Sequence, residues 1–127
     1  MALDYGSART GVAVSDPTGT LARPLGVVEK ASAENGLAEL ARLAREEGVE
    51  RVVVGLPLTL RGTRGEQVAE TERFVEALRG VLGVPVELFD ERFTTDLAQQ
   101  TVGSAPEDAL AAAHLLSSYL EWCAARS

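Results

Sequence analysis

The chain has 127 residues, 46% of them hydrophobic and 24% charged, with a formal net charge of -7. That length suits one domain, residues 1–127, able to bury about two thirds of the surface of its unfolded chain, and the acid excess argues against a protein that coats nucleic acid generally. A single cysteine, Cys123, excludes a disulfide framework and a cysteine-rich zinc site, and so points to a reducing cytoplasm; the absence of a long apolar run or a basic leader argues against membrane insertion and export.

In chain order, Ala2–Tyr5 and Thr10–Ser15 read as strands joined by a tight, glycine-flanked link, hence a hairpin. Asp16-Pro17-Thr18-Gly19 is a turn signal, and Pro24–Glu29 is a third extended segment. Ser32 through Gly48 reads as a helix, with Leu37, Leu40, Leu43 and Ala44 at helical spacing and Gly48 as its stop. Val52, Val53 and Val54 form an unbroken β-branched run, which suits a strand buried on both faces. A polar loop with two glycines follows, then a helix over Glu66–Val81 with Val68, Val75 and Leu78 on one stripe. VPVELFD is the next strand, a short helix starts near Thr95, and the stretch from Gly103 to Ala125 is the last helix. The order β-β-β-α-β-α-β-α-α predicts a mixed sheet with helices packed on its faces.

Most acids of this chain sit on amphipathic helices and need only solvent. Three sites do not fit that description. Asp4 interrupts the first apolar strand, where it either caps the following turn or meets a partner, because burying an uncompensated carboxylate costs several kcal/mol. Asp90 and Glu91 fall at the carboxyl end of a buried strand, where ligand sites of α/β sheets gather. Successive strand residues point to opposite faces, so only one of these two can serve a shared site. Asp108 opens the last helix. There Ser104 and Glu107 match a capping box, which assigns Glu107 a structural job and leaves Asp108 without one; a helix-dipole acid is the plainer reading of Asp108 alone. Ala109, Ala111, Ala112 and Ala113 would let this helix approach the sheet closely. Carboxylates converging from these three places would require cations, and oxygen donors favour Mg²⁺ or Mn²⁺, two of which about 4 Å apart would suit phosphodiester cleavage.

LDYGSARTGVAVSD, VVVGLPL, FDERFTT and EDALAAAHLL resemble, in order, the four signature blocks of the YqgF/RuvX family. These are Holliday-junction-resolvase-like nucleases, also described as pre-16S rRNA nucleases, and their blocks span nearly the whole chain. The resemblance implies an RNase H-like α/β fold, a mixed five-stranded sheet with helices on both faces. It implies Asp4 as the first metal ligand, Asp108 as the ligand on the final helix, and Glu91 as the middle acid with Asp90 as the alternative. It further implies a divalent-metal-dependent endonuclease acting on pre-rRNA or branched DNA, associated with ribosome biogenesis, as a monomer or homodimer. Arg9 matches the family arginine after the first glycine, and is either a phosphate contact or a salt bridge holding the hairpin. Where the family carries an Asn-Met-Asp-Gly type of stretch, this chain has Thr59-Leu60-Arg61-Gly62. That places Arg61 near Arg64 as candidate phosphate contacts, with Arg92 and Thr95 of the FDERFTT block.

Two other readings compete. The hairpin also resembles the phosphate-binding loop of the actin, Hsp70 and sugar-kinase superfamily, but that class clamps ATP between two such domains and this length holds one. A non-catalytic module that binds RNA, ribosome or transcription machinery is the second, favoured by the acidic charge and opposed by the presence of all three acidic positions. His114, the single histidine, lies about 120° around the last helix from Asp108, which assigns it to packing or surface rather than catalysis.

Overall fold

The computed structural model describes residues 1–56, 65–90 and 106–126. Eight elements follow one another: β1 (Ala2–Asp4), β2 (Arg9–Ser15), β3 (Ala22–Glu29), α1 (Glu34–Glu46), β4 (Val52–Leu56), α2 (Glu66–Val81), β5 (Val86–Asp90) and α3 (Glu107–Ala125). The five strands form one sheet in the order β3-β2-β1-β4-β5. The β1–β2 and β2–β3 pairs are antiparallel, whereas β1–β4 and β4–β5 are parallel. The expected sheet is therefore present with the expected element order as far as β5, and the short helix near Thr95 lies outside the described residues.

Helix boundaries follow local chemistry. α1 ends two residues before Gly48, whose φ of +64° supplies the left-handed turn that L side chains resist. The Gly48 N–H donates to the Arg45 carbonyl and the Val49 N–H to the Ala44 carbonyl, the paired bonds of a Schellman motif. α3 departs from the sequence reading. It starts at Glu107 with Pro106 at the N-cap (φ -56°, ψ 146°) and no side-chain cap hydrogen bond, so Glu107 sits at the first helical position and not at the third position of a capping box. A box begun at Ser104 would need Ala105 in the helical region, which a following proline disfavours.

Alternation along the strands sorts the core into two unlike layers. Leu3, Val12, Val14, Val52 and Val54 face α1 and α2, where they pack with Leu40, Phe74, Val75 and Leu78. Ala2, Ala13, Val53 and Phe89 face α3, where they meet Ala112, Ala113, Leu115, Leu116 and Tyr119. The first layer is bulky and aliphatic, each fully buried valine or leucine contributing about 1.5–3 kcal/mol. The second mixes alanines from both sides with Phe89, Leu115, Leu116 and Tyr119, and at Gly11 the α3 backbone lies close against β2. Val52, Val53 and Val54 are all buried, as a strand covered on both faces requires.

Candidate active site

The strand directions bring the candidate residues to one edge. β1, β4 and β5 run parallel and end there; β3, antiparallel to β2, ends there as well. α1 and α2 begin after β3 and β4, and α3 begins over the start of β2, so all three helix N-termini share this edge. None has a side-chain cap, and their aligned backbone dipoles favour anions there.

Asp4 is the last residue of β1 and pairs across the ladder with Gly11 of β2. Both continue the alternation of Ala2 and Ala13, which places them on the α3 side of the sheet. Gly11 is buried directly beneath the first turn of α3: a Cβ built on it would lie 1.8 Å from the Asp108 carbonyl oxygen and 3.0 Å from the Ala109 nitrogen. Only a residue with no side chain permits that contact. Through Gly11, therefore, the fold brings the carboxyl end of β1 and the amino end of α3, the carriers of Asp4 and Asp108, to one place. The sequence singled out both acids and missed the glycine between them, although a glycine inside an apolar strand is itself a sign of close backbone approach.

Arg9 opens β2 two residues before Gly11, on the same face, and its Nε lies 3.3 Å from Asp108 Oδ2. Of its two expected roles, the salt bridge is present, but it ties the hairpin to α3 and not one strand of the hairpin to the other. The side chains of Arg9 and Asp108 are 68% and 36% exposed, so the pair is strongly solvated and contributes no more than about 1 kcal/mol.

On the other face, Tyr5 anchors the end of β1. Its ring stacks on Phe74 of α2 at 4.3 Å, with 20° between the planes, and its hydroxyl donates to Glu70 Oε1 at 3.1 Å. Burial, with the Glu70 carboxylate adding to it, raises the Tyr5 pKa above its ordinary value. Asp4 and Tyr5 thus belong to opposite layers, the first to the site edge and the second to the core, and Tyr5 is a positioning contact that sequence reading did not find.

Asp90 ends β5, paired with Leu56 of β4. The alternation that puts Leu88 against the α1–α2 layer puts Asp90 on that side too, opposite the face of Asp4. Glu91, Arg92 and Thr95, like Arg61 and Arg64, lie outside the described residues. Among the described residues no group of three or more His, Cys, Asp or Glu side chains is placed to hold a metal ion. Asp4 is paired with Gly11 and the Asp108 backbone lies over it, and both residues carry carboxylates, hard oxygen ligands of the kind that suit Mg²⁺ or Mn²⁺. His114 is half-buried midway along α3.

A cavity of about 960 Å³ opens at the opposite edge, lined by residues such as Asp16, Arg23, Arg51, Val53 and Tyr119. Several of its polar groups are engaged in pairs. Arg51 donates to the Tyr119 hydroxyl at 3.1 Å, Tyr119 donates to Glu87, and Arg23 pairs with Glu47 at 3.1 Å. Burial, followed by the bond to Glu87, pushes the Tyr119 pKa up to about 12. This end of the molecule is a braced polar wall, remote from Asp4 and Asp108.

Sheet order, helices on both faces and acids at the carboxyl edge define an RNase H-like α/β protein. A solved structure of RuvC from Thermus thermophilus shares the fold, with a TM-score of 0.56 and 19% sequence identity, over 95% of this chain and 94% of that one. Residues 1–122 match the RuvX family, described as Holliday junction resolvase, and the chain belongs to that family. Relatives carrying the name "Putative pre-16S rRNA nuclease" include one from Chloroflexus aggregans, 45% identical over 130 residues that span 95% of this chain and 92% of the relative. Another, from Symbiobacterium thermophilum, is 41% identical over 133 residues, 98% of this chain and 92% of the relative. Among the described residues no helix is long and apolar enough to cross a membrane.

Proposed function

We propose that this chain is a divalent-metal-dependent endonuclease of the cytoplasm that hydrolyses phosphodiester bonds, with residues 1–127 acting as one nuclease domain. The observation that carries the reading is the approach of α3 to the hairpin at Gly11, which brings together the segments bearing Asp4 and Asp108. In this reading the two carboxylates hold Mg²⁺ or Mn²⁺, as a pair of ions with Glu91 as third ligand. Glu91 is favoured over Asp90 because Asp90 has the strand parity of the opposite face. When bound, the ions supply charge neutralisation at the scissile phosphate and an activated water.

The protein's own part is to hold the ligands rigid and to receive the substrate. Tyr5, stacked on Phe74 and bonded to Glu70, fixes the end of β1 and with it the backbone of Asp4. Arg9 stands beside Asp108 with an exposed side chain available to an incoming phosphate, and Arg61, Arg64, Arg92 and Thr95 would serve as further phosphate contacts. The names of the relatives favour a precursor of 16S rRNA as substrate, met free or on the ribosome, and the family description favours branched DNA; symmetric cleavage of a junction would use a homodimer and rRNA trimming a monomer.

The test compares the wild-type chain with Asp4→Asn and Asp108→Asn for Mn²⁺ binding by calorimetry, and for cleavage of a pre-16S rRNA fragment and a four-way DNA junction. Both substitutions are expected to weaken Mn²⁺ binding and reduce cleavage to background while the fold is retained. Wild-type binding to either nucleic acid without any cleavage would replace the nuclease reading with a binding module. Cleavage unaffected by either substitution would move the site elsewhere.

A further inference from the structure

The contact between Arg9 and Asp108 joins two residues that the proposed function assigns to different ligands, the arginine to phosphate and the aspartate to metal. A guanidinium and a divalent cation compete for the same carboxylate oxygens. We infer that Arg9 is an exchangeable counter-cation: it neutralises Asp108 when no metal is bound, and metal binding releases it to a substrate phosphate. The inference rests on the reading of Asp108 as a metal ligand and goes beyond it, because it makes metal and nucleic-acid binding mutually strengthening through one side chain.

Three observations support the exchange. The pair is single-pronged, Nε to Oδ2 at 3.3 Å, and not the two-pronged fork that makes arginine–carboxylate pairs strong. The Arg9 side chain is largely exposed and that of Asp108 about one third exposed, so water screens the contact and leaves it weak enough for a divalent cation to displace. Arg9 starts β2 at the exposed edge, its backbone held in register against Glu29 and its side chain 68% exposed, so the guanidinium can swing without disturbing the sheet.

Thermodynamic linkage then fixes the signs. While Asp108 retains Arg9, nucleic acid must break the pair to use the guanidinium; once metal has broken it, the guanidinium is available. By reciprocity, nucleic acid that holds Arg9 leaves Asp108 to the metal and raises metal affinity by the same factor.

Calorimetric titration of the wild type, Arg9→Met and Arg9→Lys with Mn²⁺ alone tests this directly. Removing a weak exposed competitor is expected to tighten Mn²⁺ binding roughly 2–5-fold in Arg9→Met, with Arg9→Lys between the two and the differences shrinking at high salt. In a second measurement, a four-way DNA junction is bound in Ca²⁺ or in no divalent cation at equal ionic strength. Arg9→Met should lower the salt slope by about 1 with Ca²⁺ and leave it unchanged without. Equal or weaker Mn²⁺ binding by Arg9→Met would mean that Arg9 only orients Asp108, and would overturn the exchange while leaving the metal site standing. No Mn²⁺ binding by the folded wild type would overturn the exchange and the metal-dependent reading together.

Discussion

Substituting Gly11 by alanine should separate the proposed ligand pair without removing either acid. The added Cβ would sit 1.8 Å from the Asp108 carbonyl oxygen and 2.3 Å from its carbonyl carbon, against an ordinary contact of 3.4 Å or more. Both obstacles are backbone, so no rotamer change relieves them, and the first turn of α3 must withdraw by about 1.6 Å. Overpacking of this size costs about 1–3 kcal/mol, which lowers the melting temperature of a chain this long by about 5–10 °C. A misplacement near 1 Å is also enough to reduce catalysis about 100-fold. Circular dichroism melts and Mn²⁺ calorimetry on Gly11→Ala, with Gly26→Ala as control, provide the assay; the Gly26 position has nothing within 4 Å of an added Cβ and should shift stability by less than about 1 kcal/mol. A Gly11→Ala chain with wild-type melting and wild-type Mn²⁺ binding would refute the claim that this glycine sets the approach of α3.

Gly36→Ala should also destabilise, although alanine is favoured over glycine inside helices by about 1 kcal/mol, because its Cβ would meet the Lys30 carbonyl oxygen at 2.3 Å and the Ala31 Cα at 2.6 Å; urea unfolding showing a gain in stability would contradict this. Asp16 accepts bonds from the Thr18 hydroxyl and from the backbone N–H groups of Leu21 and Thr20, and these hold its pKa down to about 2 from 3.8. A depressed carboxylate stabilises the fold fully above the unfolded value and ceases to do so as pH falls through the folded one. The stability advantage of wild type over Asp16→Asn should therefore be constant above about pH 5 and shrink between pH 4 and 2, which acid-dependent urea midpoints would read.

Much of this architecture was legible because the sequence states it locally. The Val52–Val54 run announced a strand buried on both faces, and Gly48 announced the end of α1. Asp4 stood out because a carboxylate is improbable in an apolar strand. The capping-box pattern at Ser104 and Glu107 does not mark the start of α3, because Pro106 lies between them, restrains the residue before it and is itself the N-cap. Asp108 is a site candidate on different grounds, its ion pair with Arg9 and its position over Gly11. Those contacts, like the clamp of Tyr5 between Phe74 and Glu70, join residues 65 or more positions apart, and no periodicity within one element encodes them.

The brevity of β1 couples two properties that are usually separable. Three residues, held by β2 on one side and β4 on the other, present Leu3 to the aliphatic layer and Asp4 to the opposite face. A slip of one residue would exchange them, burying a carboxylate among valines and turning a leucine toward the acid edge. The hydrophobic layer thus acts as a proofreader for the chemistry: a chain paired out of register forfeits its core as well as its site, so a well-packed but miswired molecule has no stable basin to occupy.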